Sequence, residues 1–286
     1  MIQVPNSSGT SKPRFKALAN ACDCHLHIYD QRFEMSWPSL RAQTQASIAE
    51  YRLLQERIGT ARAVVVQPAA YGTDNAVTVD AIAQLGQDKA RGVAVVHPTI
   101  TDEKLRELHE GGIRGLRFSQ HDSNTAVTTA DMIEPLARRV NELGWHVQLH
   151  LKGEQIVAMA DLLNRLDVEI VFDHMARLPQ PNAREHAAMD VVKALLDKGR
   201  TWVKLSGPYL DTQTGSPRYA DVKPVAKAYV KHAPERLVWG SDWPHPTERD
   251  TKPDDAVLLD LLQEWVPDEA TRRKILVENP AKLYGF

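Results

Sequence analysis

A parallel α/β barrel of the (β/α)8 type, a somewhat distorted TIM barrel, is the fold this sequence predicts. Three observations carry the prediction. Short β-branched runs recur eight times, each followed by turn residues. Stretches with apolar residues at helical spacing lie between most of these runs, and 286 residues match the usual size of such a barrel. An open doubly wound sheet is the runner-up. However, no Gly-x-Gly-x-x-Gly follows the first run and no phosphate-binding loop pattern occurs anywhere, so a nucleotide-binding reading has no support.

The elements follow in order. The first run is Ala21–His27, with the helical stretch Ile48–Leu54 after it. Ala63–Gln67 precedes Val77–Leu85. Gly92–His97 leads to Leu105–His109, where Thr101 is an N-cap candidate and Asp102-Glu103 suit the positive end of a helix. Arg114–Ser119 precedes Met132–Leu143, and His146–His150 precedes Ile156–Leu166. Glu169–His174 precedes Met189–Leu196, and Trp202–Ser206 precedes Val222–Val230. Leu237–Asp242 is the eighth run, followed by Ala256–Trp265 and Glu269–Val277. Gly111-Gly112, Gly144 and Gly199 come just after helical stretches, where glycine ends helices.

Composition narrows the function. Lys+Arg 35 against Asp+Glu 37 leaves a formal charge of −2, so the basic excess of a dedicated nucleic-acid binder is missing. No apolar run approaches the ~18 residues of a membrane span, so neither nucleic acid nor membrane is an expected partner. Residues 1–20 read as a polar N-terminal extension carrying Lys12, Arg14 and Lys16, without the apolar core of a signal peptide, and residues 21–286 as one barrel domain. Cys22 and Cys24 are too few for a disulfide framework or a structural zinc site, which points to a reducing cytoplasm. They are expected to be packing residues.

Alternation along a strand sends successive side chains to opposite faces. In the first run Asp23, His25 and His27 share one face, expected to be the lumen, and Cys22, Cys24, Leu26 and Ile28 share the other. The same phase ends the runs with Gln67, His97, Arg117, His150, His174, Ser206 and Asp242 in the lumen, with Lys204 on the face of Ser206. Burying so many polar groups without a use is costly, and catalytic groups sit at the C-terminal face of such barrels. His25-x-His27 can grip one metal ion from one side of a strand. With His150 and Asp242, and with His174 nearby, it forms a reasonable set for one Zn²⁺ ion with room for water. The same residues also suit chemistry without a metal, Asp242 acting as general base on water while histidines and Arg117 polarise a carbonyl. His109, His186 and His232 fall in helical stretches, His121 in a loop; Trp202, Trp239 and Trp243 read as packing residues, and His245 as a residue able to line the site.

Longer motifs run in order along the chain: Asp23-Cys24-His25-Leu26-His27, Tyr71-Gly72-Thr73-Asp74-Asn75, Gly111–Phe118, Phe172-Asp173-His174-Met175-Ala176-Arg177, Trp239–Pro246 and Glu278-Asn279-Pro280. Together they resemble the amidohydrolase superfamily, in particular its branch of lactone hydrolases related to 2-pyrone-4,6-dicarboxylate lactonase. The resemblance implies a (β/α)8 barrel that hydrolyses a small lactone. In it the strand-eight Asp242 would activate water, while His174 or Arg117 would stabilise the oxyanion. His25, His27 and His150 would hold a metal or bind the carbonyl directly, and Arg177, Lys204, Tyr209, His97 and His245 would contact substrate. Departures from the branch pattern are His150 in place of a Tyr, Ala69 in place of a Ser, and Tyr209 in place of an Arg. Fewer arginines argue for a sugar lactone or a muconolactone-type ring with at most one anionic group. A galactarolactone-type isomerase is the alternative, supported by Pro234-Glu235-Arg236 and Tyr219–Val222, although Asp242 can accept a proton where an amide cannot. A metal-dependent decarboxylase of the superfamily is a further one. Specificity is expected in the loops Asp30–Leu40, Gln120–Thr128 and Asp211–Arg218.

Overall fold

Each of the eight β-branched runs forms a strand in the computed structural model, which describes residues 1–37, 45–122 and 126–286. The strands are β1 Cys22–Leu26, β2 Arg62–Val66, β3 Ala90–Ala94, β4 Ile113–Ser119, β5 His146–His150, β6 Ile170–Phe172, β7 Thr201–Leu205 and β8 Leu237–Trp239. All neighbours pair in parallel, in the order β1 to β8. The barrel is nearly closed. No regular ladder joins β8 to β1; instead the chain just past β8 crosses the seam through Asp242 N–H to His25 O and His27 N–H to Trp243 O, both 2.8 Å. Gly240 permits this approach, since a Cβ there would fall 2.6 Å from His25 Cβ.

Helices fill the connections: α1 Ile48–Ile58, α2 Ala76–Leu85, α3 Asp102–Glu110, α4 Ile133–Asn141, α5 Gly153–Ala158, α6 Ala160–Arg165, α7 Ala187–Asp197, α8 Lys223–His232, α9 Asp255–Trp265, α10 Glu269–Arg273 and α11 Asn279–Tyr284. Thr101 caps α3 as expected, its hydroxyl accepting from Lys104 N–H. Two expectations differ. The stretch 156–166 breaks at Met159 into α5 and α6. The stretch 269–277 widens into a π turn over Lys274–Glu278 before α11. Pro280 supplies the reason for the second: it has no N–H, and its ring crowds the carbonyl four residues earlier. Asn279 beside it donates to Pro234 O and Leu237 O, tying this turn to the start of β8.

Two apolar layers result. The outer one, between strands and helices, takes Leu26, Val65, Leu116, Leu149, Phe172, Leu205 and Trp239. The inner one fills the lower lumen with Cys22, Cys24, Val64, Val66, Val93, Val171, Trp202, Val238 and Tyr284. Gly115 makes room there for the His146 ring, which would meet its Cβ at 2.4 Å. The cysteines are packing residues, buried and free, but of the lumen rather than the helix layer.

The expected phase of β1 is therefore wrong in its first half. Register against β2 advances three residues from Asp23 to Leu26 while β2 advances two, from Ala63 to Val65. This bulge reverses the phase. Asp23 points away from the lumen, bonding Tyr51 OH and the Ser241 amide and hydroxyl, and only His25 and His27 turn inward.

Residues 1–20 lie against α1 and α9. Buried Arg57 of α1 donates to Ser11 O and Ser8 O, Arg14 pairs with Asp260, and Trp243 Nε1 donates to Pro5 O. Among the described residues no helix is long and apolar enough to cross a membrane.

Candidate active site at the C-terminal mouth of the barrel

The mouth is built in two tiers. The lower tier is a buried charge network. Lys204 of β7, fully buried, donates to Cys24 O at 3.0 Å and Gln148 Oε1 at 2.7 Å, and lies 3.5 Å from Asp173. Arg117 of β4 donates through Nε to Asp173 Oδ2 at 3.0 Å. Burial pushes the Asp173 carboxyl up, but His25, Lys204 and Arg117 outweigh it and hold it well below the usual range. A buried ion pair of this kind fixes geometry more than it adds stability.

The upper tier carries the imidazoles. His27 donates Nδ1–H to Val66 O at 2.8 Å, which leaves its Nε2 lone pair facing the mouth. His25 Nε2 lies 3.2 Å from it, and Asp242 Oδ1 lies 3.5 Å from both. His174 completes the cluster: His25, His174 and Asp242 each offer one ligand atom, all within 4.8 Å of one another. Its Nδ1 meets Ser206 Oγ at 2.9 Å. Burial, with Lys204 beneath, keeps the His25 imidazole well below its ordinary value, and burial brings His174 down to about 4. Burial opposes ionisation of Asp242, yet His174, His27 and His25 prevail and hold its carboxyl well below the usual range. At neutral pH the tier thus sets a carboxylate beside the uncharged imidazoles of His25 and His174. Two facing imidazole nitrogens 3.2 Å apart need a proton or a cation between them, and both distance and donor type suit a zinc ion.

Backbone strain aims these groups. Asp242 has φ of 63°, and His174, Met175, Ala176 and Arg177 have φ of 50°, 54°, 63° and 49°. Left-handed non-glycine residues cost ~1–2 kcal/mol each, and such strain clusters at functional sites. After β6 strict alternation puts Val171 and Asp173 in the lumen. The left-handed turn then brings His174 and Arg177 back over it.

A cavity of about 360 Å³ opens above, lined by His27, His150, His174 and Asp242 and by Arg117, Arg177 and Arg249. Arg177 makes a two-pronged pair with Asp211, at 2.7 and 3.0 Å. Arg249 makes no ion pair or hydrogen bond among the described residues.

Of the expected site residues, the structure gathers His25, His27, Arg117, His150, His174, Arg177 and Asp242 at this mouth. His150 stands apart from the ligand cluster. Its Nδ1 meets Ser119 Oγ at 2.9 Å and its Nε2 accepts from Arg177 at 3.0 Å, so both nitrogens are engaged. His97 is exposed, bonded to Thr99 beyond the end of β3, and does not line the cavity. Lys204 lies one layer too deep to line it. Tyr209 and His245 stand behind Asp242: Tyr209 OH donates to Asp242 Oδ2 at 2.7 Å and meets His245 Nδ1 at 2.9 Å. Gln67 is out of phase and braces the loop to α2 through Gly72 O, Asp74 O and Thr78. Sequence reasoning missed Gln148, Asp255 and Arg249. Gln148 shares the face of His150 and was detectable by phase; Arg249 lies in a loop with no local signal.

Comparison with known proteins places these features in context. A family model described as amidohydrolase matches residues 22–286. The chain is 36% identical to a 2-pyrone-4,6-dicarboxylate hydrolase of Comamonas testosteroni, over 96% of this chain and 93% of that one. It is 35% identical to a 4-sulfomuconolactone hydrolase of Rhizobium radiobacter, over 93% and 90%. It is also 31% identical to a D-galactarolactone isomerase of Agrobacterium fabrum, over 82% and 80%. Among solved structures, an Agrobacterium tumefaciens protein in its apo form superposes with TM-score 0.90 at 28% identity, over 98% of both chains. A probable 2-pyrone-4,6-dicarboxylic acid hydrolase of Acinetobacter baumannii with citric acid bound gives TM-score 0.81 at 27% identity, over 93% and 100%.

Proposed function

We propose that this chain, which belongs to the amidohydrolase family, hydrolyses a lactone bearing one acidic group, with Asp242 as the base that activates water. One observation carries the reading. The Asp242 carboxylate sits 3.5 Å from two imidazoles at the floor of a cavity walled by three guanidiniums, of which Arg117 and Arg177 already pair with Asp173 and Asp211 while Arg249 has no carboxylate partner among the described residues. One unpaired guanidinium suits a singly anionic ring. The similarity to two lactone hydrolases supports the reaction class.

Asp242 Oδ1 takes a proton from water as the oxygen bonds to the lactone carbonyl, a role that contributes ~10²–10⁴-fold. With the Ser206 hydroxyl donating to Nδ1, His174 presents Nε2–H to the developing oxyanion, and Arg117 adds a fixed positive charge. As the intermediate collapses, the ring C–O bond breaks and the proton on Asp242 passes to the leaving alkoxide. Arg177, held between Asp211 and His150, and Arg249 at the rim orient the acidic group. His25, His27 and Asp242 would hold a Zn²⁺ ion, which when bound lowers the pKa of water and polarises a carbonyl, leaving the Nε2–H of His174 to the oxyanion.

The isomerase relative favours a second reading, in which the ring is rearranged rather than opened. Acid release from a panel of neutral and acidic lactones, before and after chelation, tests both. The proposal expects net acid release, fastest with an acidic lactone. A ring isomer as sole product would overturn it.

A further inference from the structure

The turn that carries Asp242 is braced from behind. Asp242 and His245 both have left-handed backbones, φ 63° and 57°, and close the turn through His245 N–H to Asp242 O at 2.8 Å. Tyr209, from the loop after β7, bridges the side chains of its two ends: its hydroxyl donates to Asp242 Oδ2 at 2.7 Å and its oxygen meets His245 Nδ1 at 2.9 Å. His245, fully buried, turns its other nitrogen to Asp255 Oδ2 at 3.2 Å. Asp255 is also fully buried, in the first turn of α9, where its amide reaches Ser7 Oγ at 3.4 Å.

We infer that Tyr209, His245 and Asp255 form a hydrogen-bonded column that positions the catalytic carboxylate, with Tyr209 as its principal positioning residue. This rests on Asp242 being the base. A carboxylate has two equivalent oxygens and one free torsion. Binding Oδ2 to the phenol removes the rotation and leaves Oδ1, the oxygen 3.5 Å from His25 and His27, to meet water. The column runs to a helix terminus and the N-terminal segment, so the carboxylate is anchored to rigid structure rather than to its own loop. The structure thus sets Tyr209 and His245 to act through Asp242 and not on substrate.

The test is steady-state kinetics of Tyr209→Phe on a lactone the wild type opens. Loss of such a supporting partner costs about 10- to 100-fold in activity. The expected result is a kcat at least tenfold lower with KM within twofold and an unchanged melting temperature. A smaller fall, or a loss borne by KM, would overturn the inference, because a substrate contact weakens binding instead. His245→Asn, which keeps an N–H near the phenol, should retain more activity than His245→Ala; equal losses would count against the column. Should Tyr209→Phe fail to fold, Asp255→Asn is read by the same kcat and KM criteria. Because the column acts as a unit, Tyr209→Phe/Asp255→Asn should be no slower than Tyr209→Phe; additive losses would contradict it. A wild type that opens no lactone overturns the proposed function and this inference together, whereas an active wild type matched by Tyr209→Phe overturns the inference alone.

Discussion

The lower and upper halves of the barrel lumen are made by the same eight strands, yet share almost no chemistry. Below, Cys22, Cys24, Val64, Val66, Val171, Trp202 and Val238 pack with Tyr284 into an apolar plug. Above, His27, Arg117, His174 and Asp242 face an open cavity of about 360 Å³, with His25 clustered beside His174 and Asp242. In β1 the boundary between the two is the bulge between Asp23 and Leu26, which puts Cys24 and His25 on the same face. The strand can therefore serve stability with its first residues and chemistry with its last, as the top and bottom of such barrels are expected to do. Burial explains why the division is sharp: polar groups above are tolerated because Lys204, Asp173 and Gln148 satisfy one another across the lumen.

Substitutions in each half should separate the two functions. Asp242→Asn, in the upper half, should lower hydrolysis by ~10²–10⁴-fold with folding intact; circular dichroism beside initial rates checks both, and near-wild-type turnover would break the division. Trp202→Ala, in the plug, should do the reverse, costing ~3–5 kcal/mol of stability. Denaturant unfolding reads that loss, while KM at a permissive temperature stays put. Arg249→Ala should raise KM about tenfold for an acidic lactone, ~1.4 kcal/mol, and leave a neutral lactone within twofold; equal effects on both would remove Arg249 from recognition. His97→Ala, smallest of all, should change neither kcat/KM nor melting temperature, since the ring lies exposed and outside the cavity.

The division was half legible in the sequence. The eight strands were, because β-branched runs of about five residues separated by amphipathic stretches leave few other folds. Most lumen positions near the mouth were too, from the alternation that puts His146, Gln148 and His150, or Trp202, Lys204 and Ser206, on one face. Alternation fails where the backbone departs from a strand. The bulge in β1 inverted Asp23 and the cysteines, and the early end of β3 released His97. Depth was equally hidden: Lys204 and Ser206 share a face, yet only the higher one reaches the upper tier. Arg249 and Asp255 reach their places through loop and helix geometry that leaves no local pattern. Of the loops expected to set specificity, 38–40 and 123–125 lie outside the described residues, while Asp211 in the third holds Arg177.

The central claim is that water, activated by Asp242, adds to the lactone carbonyl. Turnover in heavy-oxygen water tests it most directly. The account predicts one heavy oxygen in the new carboxylate of the opened product, formed by the wild type and not by Asp242→Asn. A product without label, or label on the released hydroxyl, would contradict it.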